Sequence, residues 1–297
     1  MKKLKENLSG YIFFACACVS IVALATITIF IFGEGSPIIA KEGLFGFIGG
    51  MEWDPKDGQF GILPMILGSV VVTLGAAAIG VPIGILCAVF MAELAPVKMR
   101  NIFRPAIQLL AGIPSVVYGF WGVLFVVPFI SNNFGGLGAG ALAGSVVLAI
   151  MILPTIISIS EVSILALPKP YKEGALALGL TRWQAIRSVQ LPAAKSGIVA
   201  AVILGMGRAI GETMAVIMVI GNGIALPTSL TIPIRTLTAN IGLEMSYAQE
   251  DHRRALFATG IVLFIVIMIL NITAQYLTRK KVVKVKAGES DSKKEAK

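Results

Sequence analysis

Two stretches of this sequence combine residue types and spacings that point to chemistry. The first is Gly205-Met206-Gly207-Arg208-Ala209-Ile210-Gly211-Glu212-Thr213, where an arginine and a glutamate stand four residues apart inside an apolar run. At helical pitch that spacing sets both charges on one face. An arginine at membrane depth costs about 2.5–3.5 kcal/mol on insertion scales and usually turns toward an interior pathway. Mutual pairing offsets part of that cost. Gly205, Gly207 and Gly211 leave room for a neighbouring backbone or a solute to come close. A guanidinium offers planar donors to an oxyanion, and a carboxylate beside it accepts the hydrogen bond of an anion that still carries a proton. The alternative role for the pair is structural, an ion pair that locks helix packing.

The second stretch runs from Pro170 to Pro192. Glu173 falls in the first turn of a short helix, where a carboxylate suits the helix dipole. Gly179 supplies the positive φ that ends it. Thr181 caps a second helix, with Gln184 as its capping-box partner, and Leu191-Pro192 redirects the chain. Elsewhere the sequence holds no G-x-x-x-x-G-K-[ST] phosphate-binding loop, no Cys/His set at metal-ligand spacing and no nucleophile–base pairing. Cys16, Cys18 and Cys87 lie in apolar stretches and read as small buried apolar residues. His252, beside Asp251, Arg253 and Arg254, reads as part of a solvated or interfacial charge cluster.

The elements that must position these residues are membrane helices. Hydrophobic residues make up 56% of the chain and charged residues 14%, against about 25% charged in soluble domains; mean hydropathy is +0.87. Apolar runs of about 20 residues cross a bilayer. Six are expected, over about Tyr11–Phe32, Ile62–Met91, Pro105–Ile130, Ala139–Ile159, Ser196–Ile220 and Ala255–Leu277. The first exceeds the roughly 7–15 residues of a signal-peptide core and reads as a retained helix. Pro82 with Gly84, Pro114 with Gly119, and Pro154 are expected to interrupt their spans, as a lined pathway allows. Trp53 is placed at an interface.

The net charge of +9 does not mark a nucleic-acid binder, because the positive residues flank the apolar runs. Of the 25 lysines and arginines, Lys41, Lys56, Arg235, Arg253 and Arg254 fall on one side and Arg208 inside a span. The rest fall on the side that holds both termini, which the positive-inside rule makes cytoplasmic. The expected organisation is an N-terminal helix and outer segment over 1–61, a transmembrane domain over 62–278 with a coupling loop at 162–195, and a basic cytoplasmic tail over 279–297.

Both chemical stretches resemble a known family. Glu173-Gly174-Ala175, then Gly179, Val189 and Leu191-Pro192, matches the EAA signature of ABC importer membrane subunits with its spacing intact; Gly174 stands for the middle alanine and Val189 for isoleucine. Gly207 to Ala215, Gly112-Ile113-Pro114-Ser115-Val116-Val117-Tyr118, and Trp53-Asp54-Pro55 followed by Phe60-Gly61-Ile62-Leu63-Pro64 resemble the PstC-type membrane subunit of phosphate-specific ABC importers, over about Trp53 to Leu277. The resemblance implies an all-α, six-helix, type I (MetI-like) permease fold in the plasma (inner) membrane. It implies phosphate passage at Arg208 and Glu212, with Thr213 beside them. Ser115 and Tyr118 serve either the pathway or helix packing. It assigns Glu173, Gly174, Ala175, Gly179, Arg182, Leu191 and Pro192 to docking on a separate ATPase.

The partners so implied are a PstA-type permease subunit forming a heterodimer, the ATPase subunits, an extracytoplasmic phosphate-binding protein and the lipid membrane. The chain is then no enzyme by itself and carries no cofactor; ATP and Mg belong to the ATPase. Two other readings stay open, a permease for sulfate or molybdate and a membrane sensor of transport. Gly179→Pro separates the last: a permease loses anion uptake with this change, whereas a pure sensor leaves uptake untouched.

Overall fold

Backbone N–H and C=O groups have no water to bond in a bilayer, so segments that cross it close their hydrogen bonds internally as helix. In a computed structural model of the protein, residues 2–279 are described, with side chains from 10 to 273 and at 276. The basic tail expected over 279–297 lies, from Lys280 onward, outside the described residues. The helices are α1 (Lys2–Glu42), α2 (Leu44–Gly49), α3 (Leu63–Val89), α4 (Val97–Gly112), α5 (Ser115–Trp121), α6 (Val127–Phe134), α7 (Ala141–Leu165), α8 (Pro170–Ala177), α9 (Arg182–Ala185), α10 (Leu191–Ala193), α11 (Lys195–Gly211), α12 (Met214–Val219), α13 (Leu237–Glu244) and α14 (Glu250–Arg279). Wider π-helical turns extend three of them, at Phe90–Leu94, Gly122–Val126 and Ile186–Gln190.

Among the described residues, five stretches are long and apolar enough to cross a membrane: Gly10–Glu42, Leu63–Leu94, Ser115–Phe134, Ala141–Leu165 and Glu250–Thr273. Arg182–Ala193 and Lys195–Gly211, bent by 71° at their junction, supply a sixth candidate. Two of the expected spans are corrected. The third begins at Ser115 instead of Pro105, because Ile113 (ψ 128°) and Pro114 (ψ 139°) are extended. Proline has no N–H to give and pushes the residue before it out of the helical region. The residues ahead of that break form α4, which carries Lys98, Arg100 and Arg104 and of which no residue is buried. The fifth span is cut at Glu212-Thr213, between α11 and α12. Pro82 and Pro154, by contrast, sit inside unbroken helices.

The chain divides into two compact units. One takes in the chain through Ala76, Pro114–Leu148 and Ile210–Ile267; the other takes in Ala77–Ile113, Ala149–Ala209 and the described residues from Met268. The first unit is built on Ile38, Phe47, Trp53, Phe60, Ile62, Met65, Leu237 and Leu256. A two-stranded hairpin, β1 (Trp53–Asp54) against β2 (Gln59–Phe60), sets Trp53 opposite Phe60 with ring centroids 5.7 Å apart. Trp53 is therefore a core residue, 5% exposed, and not the interface aromatic its sequence position suggests.

The polar partner of Trp53 organises this unit. Its Nε1–H donates to Glu244 Oε2 at 2.8 Å. The same buried carboxylate receives Arg235 Nη1 at 2.6 Å and lies 2.8 Å from His252 Nε2. Arg235 also donates to Asn240 Oδ1 and to the Asn222 carbonyl. His252 stands between the rings of Trp53 and Tyr247, at 6.2 and 5.9 Å. This corrects the solvated-cluster reading of His252: the helix rotates each residue by about 100° from the last, so the adjacent charges point elsewhere while the His252 ring faces Glu244. Deleting one member of a buried pair strands the other, at about 3–5 kcal/mol. Glu244→Ala is expected to lower unfolding stability by that order, with Glu244→Gln milder, in thermal unfolding of the purified protein; unchanged unfolding contradicts the assignment.

Candidate functional site

The site is built around the cut in the fifth span. Arg208 lies in the last turn of α11, where a cation suits the helix dipole. Among the described residues its side chain makes no ion pair or hydrogen bond. The helix ends at Gly211, so Glu212 is not on a common helical face with Arg208; the expected i,i+4 pair does not form. Glu212 turns instead to the backbone. Its Oε1 accepts the Ala215 N–H at 3.1 Å and so satisfies a free donor in the first turn of α12 from the position before the N-cap, Thr213, whose own side chain makes no cap bond. Its carbonyl accepts the Thr238 hydroxyl of α13 at 2.8 Å.

α13 holds the cut open from the other side. Thr236 caps it through the Ala239 N–H, and the Leu237 N–H donates to Ser69 Oγ of α3 at 2.9 Å. Gly242 faces Thr213 so closely that a Cβ there would come within 2.7 Å of Thr213 Cγ2. The sequence reading left α13 inside an outer loop; the Thr236-x-x-Ala239 cap was its one local signal. α5 packs on α12 through Gly119, where a Cβ would come within 2.9 Å of Ala215 Cα. Partly buried Ser115 opens α5 and Tyr118, 6% exposed, follows one turn later. Ser115, Tyr118, Glu212 and Thr213 thus belong to one compact unit, and Arg208 to the other.

The stretch after the fourth span has the expected local chemistry. α8 is followed by Gly179 at φ +83°, and Thr181 caps α9 in a full capping box. Gln184 N–H reaches Thr181 Oγ1 at 3.3 Å while Thr181 N–H reaches Gln184 Oε1 at 2.8 Å. Glu173, Gly174, Gly179, Arg182 and Pro192 are exposed. Ala175 is not: it is 4% exposed, and Leu191 packs on the cluster of Val89, Ala92, Ile164, Ile186, Ala194 and Ile198. Those two side chains support the loop from inside. The residues presented outward that the sequence reading passed over are apolar: Leu178 at 83% exposed, with Trp183, Tyr171 and Leu176. Exposed apolar side chains gathered in this way mark a face that contacts protein or membrane.

Two carboxylates were also passed over. Glu93, at the end of the second span, accepts Lys172 Nζ at 2.5 Å and Gln190 Nε2 at 2.9 Å. Glu161, 4% exposed near the end of α7, accepts Arg104 Nε and Nη2 at 3.0 and 2.8 Å. Their signal was available: each is a single acid at the end of an apolar run. Among the described residues no three His, Cys, Asp or Glu side chains converge as metal ligands do.

The model of one protein family, the binding-protein-dependent transport system inner membrane component, matches residues 80–283. The chain is 42% identical to a probable ABC transporter permease protein, YqgH, of Bacillus subtilis, over 95% of this chain and 94% of that one. It is 36% identical to the phosphate transport system permease protein PstC of Xylella fastidiosa, over 86% and 85%. Among solved structures it resembles an inward-facing MetNI methionine ABC transporter, with a TM-score of 0.55 at 21% identity over 73% of this chain and 93% of that one. It also resembles a bacterial importer of alginate, with a TM-score of 0.57 at 17% identity over 89% and 96%. At such identities the structures speak to fold alone, and the fold is that of ABC transporter permeases. The protein is a multi-pass membrane protein with an all-α permease fold.

The cap at Glu212 is separable from its charge. Glu212→Ala removes the acceptor for Ala215 and is expected to cost about 0.5–2 kcal/mol, the usual worth of a helix cap. Glu212→Gln keeps an acceptor oxygen and is expected to unfold near the wild-type temperature. Equal losses in both variants would show that the charge, and not the cap, holds the cut.

Proposed function

This chain belongs to the binding-protein-dependent transport system inner membrane components, and from that premise we propose that it is a permease subunit of an ATP-driven importer of inorganic phosphate. The observation that carries the reading is the cut fifth span, which brings Glu212 and Thr213 to the break and leaves Arg208 without a counter-ion among the described residues. A lone cation on a membrane helix persists where water or an anion meets it. Discontinuous helices in transporters line the solute site. The relatives that match most of the chain and are named for phosphate transport support phosphate as that anion.

Each residue takes a role of its own. Arg208 offers guanidinium donors to phosphate oxygens. Glu212 accepts a hydrogen bond from the O–H that phosphate retains near neutral pH and repels sulfate, which has none. Thr213 and Ser115 contribute hydroxyls, and Tyr118 packs α5 beneath them. The lysine and arginine bias makes the loop of residues 162–195 cytoplasmic, together with both termini. There the exposed Leu178, Trp183, Tyr171 and Leu176, with Glu173, Gly174, Gly179 and Arg182, dock on separate ATPase subunits that bind ATP and Mg. The opposite side receives an extracytoplasmic phosphate-binding protein, and a PstA-type subunit completes the permease pair. Residues 62–278 then form the transmembrane domain.

The test is reconstitution of the chain with its permease partner and ATPase. Phosphate-loaded binding protein is expected to stimulate ATP hydrolysis, and sulfate- or molybdate-loaded proteins are not; stimulation by sulfate alone moves the reading to that anion. Glu212→Gln is expected to cut phosphate uptake and the preference over sulfate by roughly tenfold or more, the worth of one hydrogen bond to a charged group. An unchanged preference removes Glu212 from selectivity.

A further inference from the structure

One carboxylate joins the two limbs of the cytoplasmic loop to the second span. Glu93 lies in the π-helical turn Phe90–Leu94 that ends the span begun by α3, and its side chain is 10% exposed. One oxygen holds Lys172, in the first turn of α8 on the loop's first limb. The other holds Gln190, the last residue of the π-helical segment Ile186–Gln190 on the second limb. Between these two anchors the loop presents its apolar face, Leu176, Leu178 and Trp183, outward. A force applied to that face therefore reaches the span through whatever holds both limbs. Apolar packing of Ile186, Ala194 and Ile198 on Val89 and Ala92 keeps the limb close. Packing of that kind is non-directional; the two bonds to Glu93 give it a fixed register.

Both anchored segments are also places where a helix can change register. A π turn holds one extra residue in the backbone ladder, as the Ala95 N–H to Phe90 carbonyl bond of 2.7 Å shows, and such turns recur at functional sites. Gln190 Nε2 to Glu93 Oε1 links two of these turns directly. Gln190 carries a second polar atom, Oε1, that is buried without a partner; Arg100 Nε is likewise buried without one, while Arg100 Nη2 reaches the carbonyl of Ala92, the residue before Glu93, at 3.1 Å. A spare acceptor thus stands on one of the two groups that Glu93 holds. In the Arg104–Glu161 pair, by contrast, one oxygen takes both donors.

We propose that Glu93 is the positioning residue that passes movement of the cytoplasmic loop to the second span, by holding Lys172 and Gln190 with its two carboxylate oxygens. This rests on the permease reading above. It touches neither phosphate nor nucleotide, so its loss uncouples the two without abolishing either binding event.

The experiment uses the complete complex in liposomes, with phosphate-loaded binding protein, and reads phosphate imported per ATP hydrolysed, alongside hydrogen exchange of the isolated chain over residues 170–191. Glu93→Gln and Lys172→Met are each expected to lower the import ratio about fivefold or more while ATP hydrolysis continues, a coupling loss of the usual allosteric size. Both are expected to speed exchange in the loop. The charge-swapped pair Glu93→Lys with Lys172→Glu is expected to recover part of the ratio through the restored ion pair; a lowered ratio with ATP hydrolysis maintained in the single variants is the readout that a merely structural loss would not give. An unchanged ratio in both single variants, or a swap no better than its parts, overturns the proposal. Unchanged exchange overturns it independently of transport. A wild-type complex with no phosphate-stimulated hydrolysis instead defeats the permease reading, and the transmitting role of Glu93 falls with it.

Discussion

A backbone group in an apolar medium must find a partner, and that constraint decides where this chain stops being helix. Each break is answered by a named group. At the fifth span Glu212 takes the Ala215 N–H, and its own carbonyl takes Thr238. At the third span Pro114 removes a donor before one is needed, and Ile113 keeps its N–H on the Leu110 carbonyl. The residue that makes the fifth-span break tolerable is thus the one proposed above to meet the anion. Its side chain is held by the backbone of α12 and not by Arg208.

Three buried or half-buried acids do related work away from that break. Glu93 joins the loop after the fourth span to the π-helical end of the second, Glu161 joins α4 to α7, and Glu244 joins the hairpin, α13 and the start of α14. Each ties a segment that does not cross the membrane to one that does, or to its neighbour. Buried ion pairs gain little net stability over apolar packing, but they punish misplacement heavily. In a protein whose surface contacts are mostly apolar and interchangeable, such pairs specify register. Their cations, Lys172, Arg104 and Arg235, lie outside the apolar runs.

Much of this was legible from residue order. The apolar runs locate the spans because length and composition alone separate lipid-crossing helices from others. The Thr181–Gln184 box and the positive φ of Gly179 were legible because they are local, set by residues three apart or fewer. What was not legible depends on neighbours. Pro114 breaks its helix while Pro82 and Pro154 do not, since packing decides whether the freed carbonyl is tolerated. The i,i+4 spacing of Arg208 and Glu212 promised an ion pair, but a competing cap bond three residues on drew the carboxylate away. Trp53 and His252 looked interfacial because their partner, Glu244, is nearly two hundred residues distant from Trp53 in sequence. Ala175 sits within the EAA signature yet turns inward, as the small residue of a two-helix elbow should.

The central claim is that this permease carries its anion only when a separate ATPase works on the glycine-jointed loop. The direct measurement is phosphate uptake into liposomes holding this chain and its permease partner, with the ATPase subunits present and then omitted. The account predicts uptake with them and none above empty liposomes without them. Uptake at the full rate in their absence would contradict it.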